Sequence, residues 1–209
     1  GFGNNARIYG AALSTVTVRE GATFDCDGYS NHQLFYFILD GGTLKNQTNR
    51  NNAGNPWFAD VTLTKDSFLA GCSFGFVALN LAETRLQMNE HKLTVDVNDG
   101  GGYRYLYMAN LTVEGGGEIY VKSGGYLALG GNPSSNLPVW AKTTILHMGG
   151  AAIHDGGGEH VFGSYVSEYV GGWDDAKTVI KVLDRFVPGT QWHATELQDG
   201  ATLDLSACE

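Results

Sequence analysis

Residues 119–129, IYVKSGGYLAL, contain two apolar pairs on either side of a glycine bend. Ile119 and Val121 alternate with polar residues before the bend, and Leu127 and Leu129 repeat that spacing after it. Alternation with a period of two predicts a strand with one buried face, and consecutive glycines predict a tight turn. The stretch therefore predicts two short strands that meet at a corner.

The same frame recurs along the chain in VTVREGATFDC (16–26), in TELQDGATLDL (195–205) and, more loosely, in residues 61–71 and 95–105. A single unit of this kind cannot bury its own apolar face, so the repetition predicts units that stack on one another. The expected fold is all-β: a right-handed parallel β-helix, or β-solenoid, because crossovers between parallel strands are right-handed. The alternative is an antiparallel β-sandwich or jelly roll.

The frame also predicts how the chain is divided. One β-solenoid domain is expected over residues 1–209, in four parts: a cap segment at 1–15, regular coils at 16–129, less regular coils and loops at 130–190, and a final coil at 191–209. Whether residues 131–190 continue the stack or pack against its side is left open.

The stretch DDAKTVIKVLDRF (174–186) fits two kinds of secondary structure. Val179, Leu183 and Phe186 have helical spacing, whereas the run of β-branched residues favours a strand. AKTVIKVLDR also echoes AKTTILHMGG, 35 residues earlier, so a strand is predicted.

Composition excludes several classes of partner. The 209 residues carry a formal net charge of −9, and no basic cluster interrupts it, so nucleic acid and anionic membranes are not expected partners. No run of apolar residues is long enough to insert in a membrane. Without an initial Met or a visible signal peptide, a mature product or an excised segment is expected. Cys26, Cys72 and Cys208 form neither a disulfide framework nor a metal motif, and their disulfide state stays open.

The segment NLTVEGGGEIYVKSGGYLALGG (110–131) resembles the glycine-punctuated repeats of bacterial autotransporter passengers and related surface adhesins. That resemblance implies a parallel β-helix outside the cell, secreted or on the cell surface. It also implies neighbouring domains in a larger protein and a glycan or a host or surface protein as partner.

The segment HDGGGEH is the best candidate for a metal site, although its spacing matches no established zinc motif. Imidazole and carboxylate groups beside flexible glycines could bind a divalent metal such as zinc; no other cofactor is expected. The four candidate ligands are His154, Asp155, Glu159 and His160. The frame also places His147 and Asp155 in slots that are apolar elsewhere, which predicts either polar groups paired in the core or a break in register with the loop pointing outward.

Aromatic side chains are the second candidate site. Tyr120 and Tyr126 occupy outward positions of the frame, and Trp140 and Trp173 lie in later, loop-rich sequence. Flat sugar faces stack on aromatic rings, so these residues are candidates for a glycan-binding platform.

The leading functional hypothesis is an adhesin-like or spacer module that presents loops to a glycan or protein. One alternative is a carbohydrate-active enzyme, a polysaccharide lyase or hydrolase, on the same scaffold; it would need clustered carboxylates beside a Lys or Arg. The other is a purely structural solenoid segment of a larger surface protein. No catalytic residues are assigned.

Overall fold

The computed structural model describes residues 15–25, 33–46, 57–71, 74–76, 84–97, 105–108, 111–129, 137–154, 157–169 and 178–208. Strands and their turns make up these residues, and no helix occurs among them. In chain order the strands are β1 Thr15–Arg19, β2 Thr23–Asp25, β3 Gln33–Asp40, β4 Thr43–Asn46, β5 Trp57–Lys65, β6 Ser67–Gly71, β7 Phe74–Phe76, β8 Thr84–Gln87, β9 Lys92–Asp96, β10 Tyr105–Tyr107, β11 Leu111–Glu114, β12 Gly117–Lys122, β13 Tyr126–Ala128, β14 Val139–Trp140, β15 Thr144–Gly149, β16 Ala152–His154, β17 Gly158–Tyr169, β18 Thr178–Val187, β19 Ala194–Leu197 and β20 Thr202–Leu203.

Each strand pairs in parallel with its counterpart in the next turn of the chain. We call one such turn a coil. Ile119 in β12 lies opposite Leu93 in β9 on one side and opposite Leu146 in β15 on the other. The pairing repeats to form one sheet of order β19-β18-β17-β15-β12-β9-β6-β4-β2. The prediction of a parallel β-solenoid is confirmed, and the antiparallel sandwich is wrong for these strands.

The coils that contain β7, β10 and β13 have three sides, because the other sheet divides at β5. Residues 57–58 of β5 pair with β7, whereas residues 60–62 pair with β8. The two arms continue as β7-β10-β13-β16 and as β8-β11-β14. Together with the sheet that contains β12, they enclose a single core.

The core is formed by the alternating residues of the glycine-bent frame. Ile119, Val121, Leu127 and Leu129 are all completely buried. Equivalent side chains of successive coils stack along the interior, since in-register parallel strands place paired residues on the same face.

The glycine-bent frame marks two different corners of the coil. Residues 61–71 and 195–205 turn from β5 to β6 and from β19 to β20, whereas residues 119–129 turn from β12 to β13. The frame is therefore a general solution for a corner, used on more than one side of the coil, and not one repeat per coil.

The described strands between residues 137 and 187 continue the stack rather than pack against its side. β15 pairs with β12, β17 with β15, and β18 with β17. The ambiguous stretch that contains Val179, Leu183 and Phe186 is strand β18, as predicted.

The final coil departs from the expected burial. Leu197 and Leu203 occupy core slots, opposite the buried Val182 and Phe186, yet they are 42% and 48% exposed. The frame is correct, but no further described coil covers these leucines.

Several expectations fall on residues outside the described ranges. They include Cys26, Cys72 and all but the last residue of the predicted cap at 1–15. Cys208 is a free, exposed thiol. No described helix could cross a bilayer.

Candidate functional site

A cluster of charged side chains lies on the outer face of β9, β12, β15 and β17, with His147 at its centre. Leu146 and Met148 point into the core, so His147 between them points outward. The expectation that His147 occupies a core slot is wrong, because the register at β15 places its neighbours there instead.

His147 bridges two coils. Its Nδ1 lies 2.8 Å from Glu118 Oε1 on the preceding coil, and its Nε2 lies 2.9 Å from Glu168 Oε1 on the following coil. Ionised carboxylate oxygens only accept hydrogen bonds, so both contacts are made when both ring nitrogens carry hydrogen. In that form His147 is a cation between two anions.

Glu118 has a second cationic partner. Lys92 Nζ donates to Glu118 Oε1 at 3.0 Å. Burial raises the pKa of Glu118, but the hydrogen bonds from Lys92 and His147 together outweigh it and hold that pKa below its ordinary value. Glu118 therefore stays ionised, as suits an ion pair, whereas a general acid needs a raised pKa.

Tyr120, which is partly buried, lies against two members of this cluster. Lys92 Nζ lies 4.5 Å from the centre of the Tyr120 ring, and the His147 ring lies 4.5 Å from it, centre to centre. Gly149 leaves space for the ring, since a Cβ there would lie 2.4 Å from Tyr120 Cε2. Tyr120 was predicted to stack on a sugar, but in the structure its ring is already in contact with Lys92 and His147.

Other charged pairs of the outer face also join adjacent coils. Lys122 donates to Asp96, and this hydrogen bond raises the pKa of Lys122. Lys181 Nζ lies 2.7 Å from Glu159 Oε2. Further pairs between adjacent coils, among the described residues, are Lys65–Asp40, His91–Asp66, Lys181–Glu196 and Arg185–Asp204. Lys65 also contacts Glu20, two coils away.

The predicted metal ligands are placed as follows. Glu159 and His160 are neighbours in β17 with opposite exposures: Glu159 lies on the outer face, and His160 is 1% exposed and points into the core. These two side chains do not converge. His154 ends β16, and Asp155 lies outside the described residues. No group of three or more metal-ligating side chains occurs in the described part of the chain.

The predicted aromatic residues are dispersed. Tyr126 is partly exposed in β13, on a different side of the coil from Tyr120. Trp140 belongs to the core, with its ring 4.5 Å from that of Phe162, so it is not a surface platform in this structure. Trp173 lies outside the described residues.

An open cleft lies beside the cluster towards the last coil and shares Glu168 with it. Its lining includes Val166, Ser167, Glu168, Val187, Thr190 and Cys208.

The local sequence does not reveal the cluster, because its members are far apart in the chain. Lys92 and Glu118 are separated by 26 positions, and Glu118 and His147 by 29. A search for charges of opposite sign at the length of one coil would have found them.

Comparison with protein-family models, curated proteins and solved structures finds no match to this chain.

Proposed function

We propose that this protein is an extracellular, bacterial adhesin-like or spacer module. It is a stiff β-solenoid that presents loops to a glycan or protein partner. Its neighbours are other domains of a larger surface protein. The resemblance of residues 110–131 to autotransporter passengers and adhesins supports the setting. Nothing in the proposal requires a cofactor.

One observation carries the proposal: several charged side chains on the outer face are paired with opposite charges on the adjacent coil. The bridge from Lys92 through Glu118 and His147 to Glu168 spans four strands. Such bridges tie successive coils together and use the carboxylates that a hydrolase would need free. This arrangement favours mechanical coherence over catalysis.

The carbohydrate-active enzyme is the second candidate, and one observation favours it. Imidazole, carboxylate and amine groups meet beside Tyr120 on one face of the sheet, from His147, Glu118, Glu168 and Lys92. Groups of these types can transfer protons at a sugar ring. The lowered pKa of Glu118 argues against it as the general acid.

A panel of polysaccharides, assayed for both retention and cleavage, separates these functions. Affinity electrophoresis measures retention, and new reducing ends or unsaturated products measure cleavage. The proposal predicts retention without cleavage. Loss of a stacked ring in Tyr126→Ala or Trp173→Ala should weaken retention about tenfold, whereas Trp140→Phe, a conservative change in the core, should leave it unchanged.

The contrary results are distinct. Products that disappear in His147→Gln would establish the enzyme. If the protein neither retains nor cleaves any polysaccharide of the panel, the purely structural segment would be favoured.

A further inference from the structure

The imidazole of His147 lies between carboxylates of two different coils. One ring nitrogen is 2.8 Å from Glu118 on the preceding coil, and the other is 2.9 Å from Glu168 on the following coil. A neutral imidazole carries hydrogen on one nitrogen only, so it donates to only one of these carboxylates. Its other nitrogen then presents a lone pair to a carboxylate oxygen, and the two repel each other. Loss of one proton therefore breaks one of the two contacts.

The charges around the ring balance when His147 is protonated. Val166, which lies opposite it on β17, is uncharged, and Lys122 on β12 is paired with Asp96. Among the described residues, the charged or titratable side chains in contact with the ring or with its partners are Glu118 and Tyr120 on β12, Lys92 on β9 and Glu168 on β17. Two of these are anions and one is a cation, so a proton on the ring makes the group neutral.

The carboxylates set a lower pH limit for the bridge. Burial raises the pKa of Glu118, but hydrogen bonds from Lys92 and His147 outweigh it and lower that pKa. A carboxylate of this kind stabilises the folded state above its ordinary pKa and loses that contribution as the pH falls. The bridge needs ionised carboxylates and a protonated imidazole, so it is complete only between about pH 4 and about pH 6.5, where carboxylates and histidines ordinarily titrate.

We propose that His147 is a pH-dependent bridge between coils: protonated, it ties β12, β15 and β17 together, and neutral, it releases Glu168. Glu168 is the partner released because its side chain is 57% exposed and can exchange the imidazole for water. Glu118 is 26% exposed and keeps Lys92 as a partner. Release loosens the contact between β15 and β17 and leaves a free carboxylate in the open cleft that Glu168 lines.

Thermal melts of the protein and of His147→Gln over a range of pH test the bridge. A glutamine amide does not titrate, and every other ionisable group is common to both proteins. The contribution of His147 is present while the ring is protonated and is lost as the pH rises. The protein should therefore melt about 2–4 °C above the variant at pH 5.5, and this gap should close by about pH 8.

Two further variants make the test specific. Glu168→Gln removes only the exposed partner, so it should give the same kind of gap, closing over the same pH range. His91→Gln is the matched control, because the His91 ring lies 3.7 Å from a single carboxylate, that of Asp66. Its gap should change less with pH than that of His147→Gln. Circular dichroism verifies each fold; if His147→Gln unfolds, Glu168→Gln decides.

Hydrogen exchange locates the change in the molecule. At pH 6 the amides of residues 164–169 should exchange about fivefold faster in His147→Gln than in the protein, and at pH 8 the two rates should agree. The amides of β9, on the far side of the Lys92–Glu118 pair, should exchange equally in both proteins.

The proposal is overturned by a melting gap that does not vary with pH, by an equal pH dependence in His91→Gln, or by exchange in residues 164–169 that His147→Gln leaves unchanged. None of these outcomes depends on whether the protein retains a glycan.

Discussion

At the level of single residues, the outer face of the solenoid is a set of cross-coil charge contacts. His147 has no recognisable motif around it, yet it meets Glu118 and Glu168 because consecutive coils place them side by side. The sequence predicted neither this contact nor its chemistry, since the frame assigned His147 to the core. Opposite charges one coil apart were the available signal.

His147 and Glu118 should therefore be energetically coupled. In a double-mutant cycle of His147→Gln and Glu118→Gln, measured by urea unfolding at pH 6, we expect a coupling free energy of about 1 kcal/mol, as is usual for a partly exposed, charge-assisted hydrogen bond. Strictly additive effects, within about 0.3 kcal/mol, would mean that the bridge contributes nothing.

Asp204 should make the stability of the last coil sensitive to acid. Hydrogen bonds from the Ser206 hydroxyl and backbone, and then from Arg185, lower the pKa of Asp204 to about 2. A carboxylate with a lowered pKa stabilises the folded state above its ordinary pKa and loses that contribution as the pH falls towards the folded-state value.

The melting temperature of Asp204→Asn should consequently be below that of the unmodified protein at pH 7, and the gap should close as the pH falls from about 4 to about 2. Thermal melts over this range measure it, with Asp199→Asn, in the preceding turn, as the charge-matched control. A gap that persists unchanged at pH 2 would contradict the assignment.

At the level of strands and corners, the glycine frame was predicted well, but its position in the coil was not. Ile119 and Val121 were expected to be buried and are. The frame could not distinguish one corner from the other, because any tight turn between two half-buried strands needs the same glycine and the same alternation. Only long-range pairing, which no local window contains, separates the two.

Corners differ in how much space surrounds the glycine. Gly117 has a φ of +103°, and a Cβ there would lie 2.3 Å from the His91 carbonyl oxygen of the preceding coil. Gly200 has a φ of +89°, with nothing within 4 Å of a Cβ. Gly117→Ala should combine backbone strain with a steric clash, whereas Gly200→Ala should have the strain alone.

Gly117→Ala should thus lower the free energy of unfolding by about 2–4 kcal/mol, and Gly200→Ala should lower it by about 1–2 kcal/mol. Denaturant unfolding measures both values. A larger loss in Gly200→Ala than in Gly117→Ala would mean that the close approach of the preceding coil does not restrict which side chain fits at position 117.

At the level of the whole molecule, stability should decline towards the last described coil, because a coil packed between two described neighbours has more support than one with a single described neighbour. Leu86 and Leu197 both occupy core slots, in the similar sequences TRLQ and TELQ, but Leu86 is completely buried and Leu197 is 42% exposed. The sequence could not predict this difference, since the two leucines have equivalent local patterns.

Truncation of these leucines measures the gradient. Leu86→Ala should lower the free energy of unfolding by about 2–5 kcal/mol, and Leu197→Ala by less than about 1 kcal/mol. Equal losses would indicate that the final coil is covered in the protein in solution.

The central claim is that the apolar pairs stack in parallel around one interior, and methyl NOEs in solution test it most directly. We predict that Ile119 contacts Leu93 and Leu146, and that Val121 contacts Val95 and Met148, at the strand spacing of about 4.8 Å. Contacts in the opposite order, with Ile119 against Val95 and Val121 against Leu93, would show antiparallel strands and contradict the account.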